Sequence, residues 1–315
     1  MSVHSGWHLA AFTSELASDV SPLDLGSRRL VAVRDGEDLR VYDADCPHRG
    51  AHLGHGGHLE DGCLVCPFHG RRIRLGEPER GGGPRRWVRE HQVIVWGETV
   101  FVRLADGPDD DRGFTRAAKE LAGTHHLVPA VTRRVAVDPR LVVENAFDTD
   151  HFTALHKVYR VRGMHHRTGS EGELVMDGEF PMPASPWQGT RGTAPQAAYV
   201  PRFLARAYSP GVVVTEFGPP GQIHVIVTAA VPDGEGGCTV RVAVGAGRGH
   251  EGDLPMLVRG SERALAEDIA VWEHLNPHAT QRLDAADEAV AAYRTFCTEF
   301  TDLSTGDTDD RGSET

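Results

Sequence analysis

No stretch of this 315-residue chain is apolar for long enough to cross a bilayer, and no basic segment followed by an apolar run opens it, so neither a membrane span nor secretion is expected. Cysteine is scarce: there are five, and their spacing suggests no disulfide framework, so a reducing, cytoplasmic compartment is expected. Excess positive charge is missing too. A formal net charge of -12 argues against a nucleic-acid groove. No internal repeat and no Gly-rich strand-turn-helix fingerprint for a nucleotide is recognised. What remains is a chain that is 40% hydrophobic and long enough for one large core or, as we expect, two moderate ones.

The most informative stretch runs from Cys46 to His69. Cys46-Pro47-His48 is followed by seventeen residues and then Cys66-Pro67-Phe68-His69, with Gly50 and Gly70 closing the two loops. Two thiolates on one iron and two imidazoles on the other is how a Rieske [2Fe-2S] centre is held, the neutral histidines raising its potential above that of an all-cysteine cluster. A structural zinc site is the plainer alternative, and Cys63-Leu64-Val65-Cys66 offers it a C-x-x-C. A zinc knuckle, however, has no use for a proline inside each ligand pair or for a Cys and His separated by one residue. Cys63 is then read as a buried free thiol near the cluster, and His52, His55 and His58 as solvated loop histidines.

In chain order, the first hundred residues read as short strands. Trp7 to Ala10 opens the chain. Leu30 to Val33, the turn Asp35-Gly36 and Leu39 to Tyr42 form a hairpin leading into Cys46, and Gln92 to Trp96, the turn Gly97-Glu98 and Thr99 to Val102 form another. A Gly/Pro/Arg-rich run, 81–86, separates the second loop from the second hairpin, and Ala105 to Gly113 is a linker by composition. Beyond it, Val212 to Glu216, Ile223 to Ala229 and Thr239 to Val244 read as strands of one antiparallel sheet, broken at Pro219-Pro220-Gly221 and Asp233-Gly234. Helices are expected over about Met256 to His274 and Asp284 to Phe300, with Pro277 between them. The fold class is therefore α+β: an all-β domain over 1–104, a linker over 105–124, a second domain with an antiparallel sheet and flanking helices over 125–302, and a disordered tail over 303–315.

A second chemical site lies between Asn145 and His156, where Asp148, Asp150, His151 and His156 cluster. Two histidines and a carboxylate with open positions is the facial triad of a non-haem Fe(II) centre. Five positions on a regular helix turn about 140° at ~3.6 residues per turn, so a helix bearing both histidines on one metal must bulge or end between them. Asp148, one turn before His151, is placed to accept from its ring N-H. By themselves these residues also read as ordinary capping and surface groups.

Together, Cys46-x-His48-x17-Cys66-x2-His69 and Asn145-x2-Asp148-x2-His151-x4-His156 resemble the oxygenase component of Rieske non-haem iron oxygenases, over nearly the whole chain. The resemblance implies a [2Fe-2S] cluster on Cys46, His48, Cys66 and His69, and a mononuclear Fe(II) on His151, His156 and an aspartate of a late helix. Glu267-Asp268-Ile269-Ala270-Val271-Trp272 looks like that segment in the 3-ketosteroid 9α-hydroxylase and sterol desaturase style, which assigns Asp268; the alternative is that Asp268 is one more solvated acid, like Glu267, Asp284 and Asp287. It further implies electrons from NAD(P)H through a separate reductase, with or without a ferredoxin. A head-to-tail homotrimer is implied as well, in which Asp148 links His151 to a neighbouring cluster histidine. The expected reaction is monooxygenation of a bulky apolar, steroid-like or polycyclic molecule, with dihydroxylation, demethylation or desaturation as alternatives. A Rieske electron carrier without a second metal and a colourless zinc-stabilised binding module are the readings from other classes. One departure stands out: Arg71-Arg72 follow Gly70 where many members have an aromatic.

Overall fold

Short apolar-rich segments separated by Gly-containing turns give the first hundred residues two sheets. The structure, a computed structural model, describes residues 3–76, 86–104, 111–158, 161–180, 201–219, 221–276 and 278–303. Strands β1 (Gly6–Phe12), β2 (Val20–Leu25), β3 (Arg28–Asp35) and β4 (Asp38–Asp43) join β9 (Glu90–Trp96) and β10 (Thr99–Leu104) in a six-stranded sheet ordered β1-β10-β9-β4-β3-β2. A smaller sheet, β5 (His58–Glu60), β6 (Cys63–Val65), β7 (Arg72–Leu75) and β8 (Trp87–Val88), rises between β4 and β9 in the chain. Both expected hairpins are present: Asp35 pairs Asp38 around Gly36, and Trp96 pairs Thr99 around Gly97.

The second half is built on one antiparallel sheet of seven strands. It contains β11 (Val128–Val135), β12 (Arg162–Thr168), β13 (Leu174–Glu179), β14 (Arg202–Ser209), β15 (Val212–Gly218), β16 (His224–Pro232) and β17 (Cys238–Ala246), in the order β11-β17-β16-β15-β14-β13-β12. Alternation along the strands gives this sheet two buried faces. Tyr208, Val212, Val214, Val225 and Val227 pack against Trp7, Leu9 and Phe101 of the first sheet. Ala205, Ala207, Val213 and Met176 point the other way, onto Val143, Phe147, Tyr293 and Phe296. Val143, Tyr293 and Phe296 belong to a helical layer of α2 (Pro139–Glu144), α3 (Thr149–Ala154), α4 (Leu254–Trp272) and α5 (Glu288–Cys297), and Phe147 lies in the turn between α2 and α3. The order of layers is therefore N-terminal sheet, seven-stranded sheet, helices, and the class is α+β.

Several expectations need correction. The segment 105–124, read as a linker, contains helix α1 (Phe114–Ala122), whose Phe114 and Ala118 are buried in the core between the two sheets. In the second half four strands, β11 to β14, lie outside the expected ones. β12 and β14 contain no Val or Ile, and β11 carries Pro129 near a register shift, a residue tolerated because β11 is an edge strand. α5 starts at Glu288 because Asp284 caps a preceding 3-10 turn, accepting from the amide of Ala286 at 2.7 Å. Leu303, placed in the tail, is paired through its amide to the Val3 carbonyl at 2.7 Å. Residues 81–85, 105–110, Pro220, Pro277 and the rest of the tail from 304 lie outside the described residues.

A Gly-spaced run lies between β17 and α4. Gly247-Arg248-Gly249-His250-Glu251-Gly252 does have dinucleotide-fingerprint spacing. Its context excludes that role: β17 is antiparallel to both neighbours, so no βαβ unit exists, and the Glu251 carboxylate already accepts the Gly249 amide at 3.0 Å. An anion would meet a carboxylate there.

Candidate metal centres

Two loops of the first domain repeat one hydrogen-bond design. In the first, the Cys46 amide donates to the Ala51 carbonyl at 2.9 Å and the Gly50 amide returns to the Cys46 carbonyl at 2.8 Å; in the second, Cys66 donates to Arg71 and Gly70 to Cys66, both at 2.9 Å. Each loop closes through a glycine in the left-handed region, Gly50 at φ +68° and Gly70 at φ +64°, a conformation that a side chain would strain. The result holds both cysteines inside, 2% and 1% exposed, and sets the His48 and His69 rings 4.7 Å apart at the tip. Burial, with the Cys66 thiol beside it, pushes the Cys46 thiol up, while backbone hydrogen bonds from His48 and Arg49 pull the other way. Desolvation and the neighbouring Arg71, His69 and Arg49 push His48 down, toward the neutral imidazole that a metal requires. Its Nδ1 is buried without a hydrogen-bond partner. Two adjacent buried thiols and two imidazoles in ring contact, one with an orphaned nitrogen, fit a mixed-ligand iron-sulfur cluster.

The surroundings differ from expectation in three ways. Cys63 is half-buried rather than buried. His52 is not solvated: its ring is 7% exposed and pairs with Asp24 at 3.2 Å, next to His55. Asp24, His52 and His55 offer donor atoms within 4.8 Å of one another, yet His52 Nδ1 accepts the Gly54 amide at 3.0 Å. Its proton therefore sits on Nε2, facing Asp24, and leaves no lone pair for a metal. Finally, Arg72, in the position after Gly70-Arg71, turns away to Glu60 at 3.0 Å and Asp61 at 2.9 Å, while Phe68 stands 58% exposed with the Arg49 guanidinium 5.7 Å above its ring.

The second cluster of donors forms where α3 stops. Asp148 is the N-cap, its Oδ1 accepting from the amides of Asp150 at 3.1 Å and His151 at 3.4 Å. The helix ends at Ala154, and the His156 amide reaches the His151 carbonyl at 3.4 Å. Lys157, at φ +58°, then turns the chain away. From the opposite side α4 presents Asp268. One donor atom from each of His151, His156 and Asp268 lies within 4.8 Å of the others. Asp268, 9% exposed, keeps its Oδ1 buried without a hydrogen-bond partner, 3.3 Å from His156 Nε2.

Both imidazoles have their tautomers set. His151 Nδ1 donates to the Asp148 carbonyl at 2.6 Å, and His156 Nδ1 donates to Glu267 Oε2 at 2.8 Å, so each Nε2 keeps its lone pair for the common centre. It is thus the backbone oxygen of Asp148 that holds His151; its carboxylate Oδ2 is 3.8 Å away, on a side chain 37% exposed. Burial lowers His151, a shift that Asp268 and Asp148 oppose. Burial also works against protonated His156, but the Asp268 and Glu267 carboxylates outweigh it and raise that group. Two imidazole nitrogens and an orphaned carboxylate oxygen fit a divalent metal with open positions. Glu267, dismissed in the sequence as a solvated acid, is the residue that sequence reasoning missed.

Residues 6–85 match the Rieske [2Fe-2S] domain. Cholesterol 7-desaturase nvd of Drosophila melanogaster is 25% identical over 181 residues, covering 50% of this chain and 39% of that protein. The oxygenase component of chloroacetanilide N-alkylformylase from Rhizorhabdus wittichii is 27% identical over 168 residues, covering 50% of this chain and 47% of that protein. The matched stretch spans less than half the length of either relative. Dicamba monooxygenase bound to 3,6-dichlorosalicylic acid shares the fold across 95% of this chain and 98% of its own, with a TM-score of 0.69 at 18% identity.

Proposed function

We propose that this chain, a member of the Rieske oxygenase family, is the terminal oxygenase component of a multicomponent system that oxidises a bulky apolar substrate with O2. The observation that carries the proposal is the convergence of His151, His156 and Asp268, with the Asp268 oxygen left unpartnered, in a chain whose first domain carries two buried thiols and two imidazoles in ring contact. An electron carrier needs the second set but not the first.

When bound, the cluster supplies single electrons and the mononuclear iron supplies oxygen activation. The protein does the rest. Cys46 and Cys66 would hold one iron of the cluster and His48 and His69 the other; His151, His156 and Asp268 would hold the mononuclear iron. The Asp148 carbonyl and Glu267 keep the protons of the two histidines on Nδ1. Aromatic packing around His151 keeps water out: Phe152 lies 4.3 Å from its ring, and Phe180 and Phe203 close on Phe152 at 5.0 and 5.6 Å. Electrons come from NAD(P)H through a separate reductase, with or without a ferredoxin. The assembly is a head-to-tail homotrimer, in which the half-exposed Asp148 carboxylate, free of His151's Nδ1-H, faces a neighbour's cluster histidine. Five cysteines without a disulfide fit a reducing, cytoplasmic setting, and no described helix is long and apolar enough to cross a membrane.

Insertion of one oxygen atom is the favoured outcome, supported by the sterol-like Asp268-to-Trp272 segment and by the fold shared with a monooxygenase. Desaturation is the second reading, favoured by the relative named a cholesterol 7-desaturase. The test supplies a surrogate reductase and NADH and screens steroid-like and aromatic compounds by mass. Gain of one oxygen supports monooxygenation, loss of two hydrogens supports desaturation, and a protein without visible cluster absorption contradicts both.

A further inference from the structure

Glu267 and Asp268 are neighbours on α4, about 100° apart around its axis, and the His156 ring lies across both. Asp268 Oδ1 is 3.3 Å from Nε2 and Glu267 Oε2 is 2.8 Å from Nδ1, so two consecutive carboxylates take opposite edges of one imidazole. Nothing in the chemistry of the ligand triad requires the second. Its placement is also not that of a surface acid: the partner ring is 13% exposed, and Glu267 itself is 35% exposed, with Arg263 Nε 3.8 Å from its other oxygen.

Resting on the reading above, we propose that Glu267 is the positioning residue of the mononuclear centre: it fixes His156 as the Nδ1-H tautomer and strengthens Nε2 as a donor to the metal. A neutral imidazole carries one proton, and without a partner at Nδ1 it can place that proton on either nitrogen. A carboxylate at Nδ1 removes the choice. The same hydrogen bond pushes electron density onto the ring, so that Nε2 binds a cation more tightly. His151 obtains its tautomer from a backbone carbonyl, a neutral acceptor. The two histidines are therefore unequal, and His156 is the stronger ligand. The arrangement also ties the segment after α3 to α4 across 111 residues of chain, so that a ligand lying two residues beyond the end of a six-residue helix is held by the nineteen-residue one.

The test uses the purified full-length protein, its cluster absorbance serving as an internal control. Loss of mononuclear iron is followed in competition with an Fe(II) chelator, and the paramagnetic signal of the nitric oxide adduct reports the ligand field. Glu267→Ala is expected to release iron at about 10–100-fold lower chelator concentration, with a changed adduct signal and unchanged cluster absorbance. Glu267→Gln, whose amide oxygen accepts the same N-H but carries no charge, is expected to restore part of that retention. Iron held as tightly in Glu267→Ala as in wild type, while Asp268→Ala loses it, overturns the inference and leaves the function standing; so does a Gln variant as weak as the Ala. A wild-type protein with no iron beyond its cluster overturns both.

Discussion

The His156 amide donates to the carbonyl of His151, five residues back, where an α-helix would bond four back. That single wide turn undoes the divergence of about 140° that a regular helix would impose on the pair, bringing the two rings to 5.1 Å. Because the turn is a backbone feature, truncating the ring leaves it in place. His156→Ala should therefore abolish turnover and lose the mononuclear iron while keeping the red-brown colour and the irons of the cluster. Quantifying iron and acid-labile sulfide alongside the visible spectrum checks this; bleaching in that variant would contradict two independent centres.

Asp148 offers a separable test, since its carbonyl serves His151 and its carboxylate serves as the helix cap. Asn caps about as well as Asp, so Asp148→Asn should keep folding, cluster and iron within the range of a neutral surface change, about 0.5 kcal/mol. If the carboxylate links neighbouring subunits for electron transfer, turnover should still fall about ten-fold or more, a barrier change of about 1.4 kcal/mol. Steady-state oxygen consumption with a surrogate reductase decides it, and wild-type rates would reject the linking role.

How much of this could be read beforehand depended on what kind of signal each residue emits. The cluster ligands are legible because Cys-Pro-His and Cys-Pro-Phe-His place rare residue types at fixed short spacing, and both hairpins because Gly36 and Gly97 sit between β-branched runs. His151 and His156 were readable as a pair; that the helix would end between them followed from the angle alone. Asp268 came only from resemblance, since nothing in the local sequence separates it from Glu267; the fold does, burying Asp268 at one edge of His156 and leaving Glu267 half-buried at the other. β12 and β14 were invisible because they contain no Val or Ile and are strands by virtue of their neighbours. Helix α1 was hidden by the acidic, Pro-containing segment before it, although Phe114 is fully buried.

The seam between the two sheets rests on the turn at Gly97. Its φ is +61°, and a Cβ there would stand 2.3 Å from the Leu127 carbonyl oxygen, the same oxygen that accepts the Glu98 amide at 2.8 Å. Gly97→Ala must therefore strain the backbone and push β11's approach away from the hairpin. A loss of about 1–3 kcal/mol is expected, read as a lower urea midpoint. Cluster absorbance should survive in the folded fraction, because both metal loops lie on other strands.

Acid should loosen the same seam through His8. The ring is fully buried on β1, where Nε2 donates to the His4 carbonyl at 2.8 Å and Nδ1 has no partner. Burial, set against that backbone hydrogen bond and assisted by nearby His4, lowers its pKa to about 4 from the ordinary 6.5. Below about 6.5 the unfolded chain takes up a proton at this position that the folded chain refuses until about 4, so the unfolded state binds more protons and stability falls as pH falls through that window. At about 1.4 kcal/mol per unit, the full interval is worth about 3 kcal/mol. His8→Gln keeps a donor for the His4 carbonyl but cannot titrate, so urea midpoints measured from pH 7 down to pH 4 should slope less steeply in the variant than in wild type. Parallel slopes would mean that the acid sensitivity lies elsewhere, with His4 and His224, both also lowered by burial, the next groups to replace.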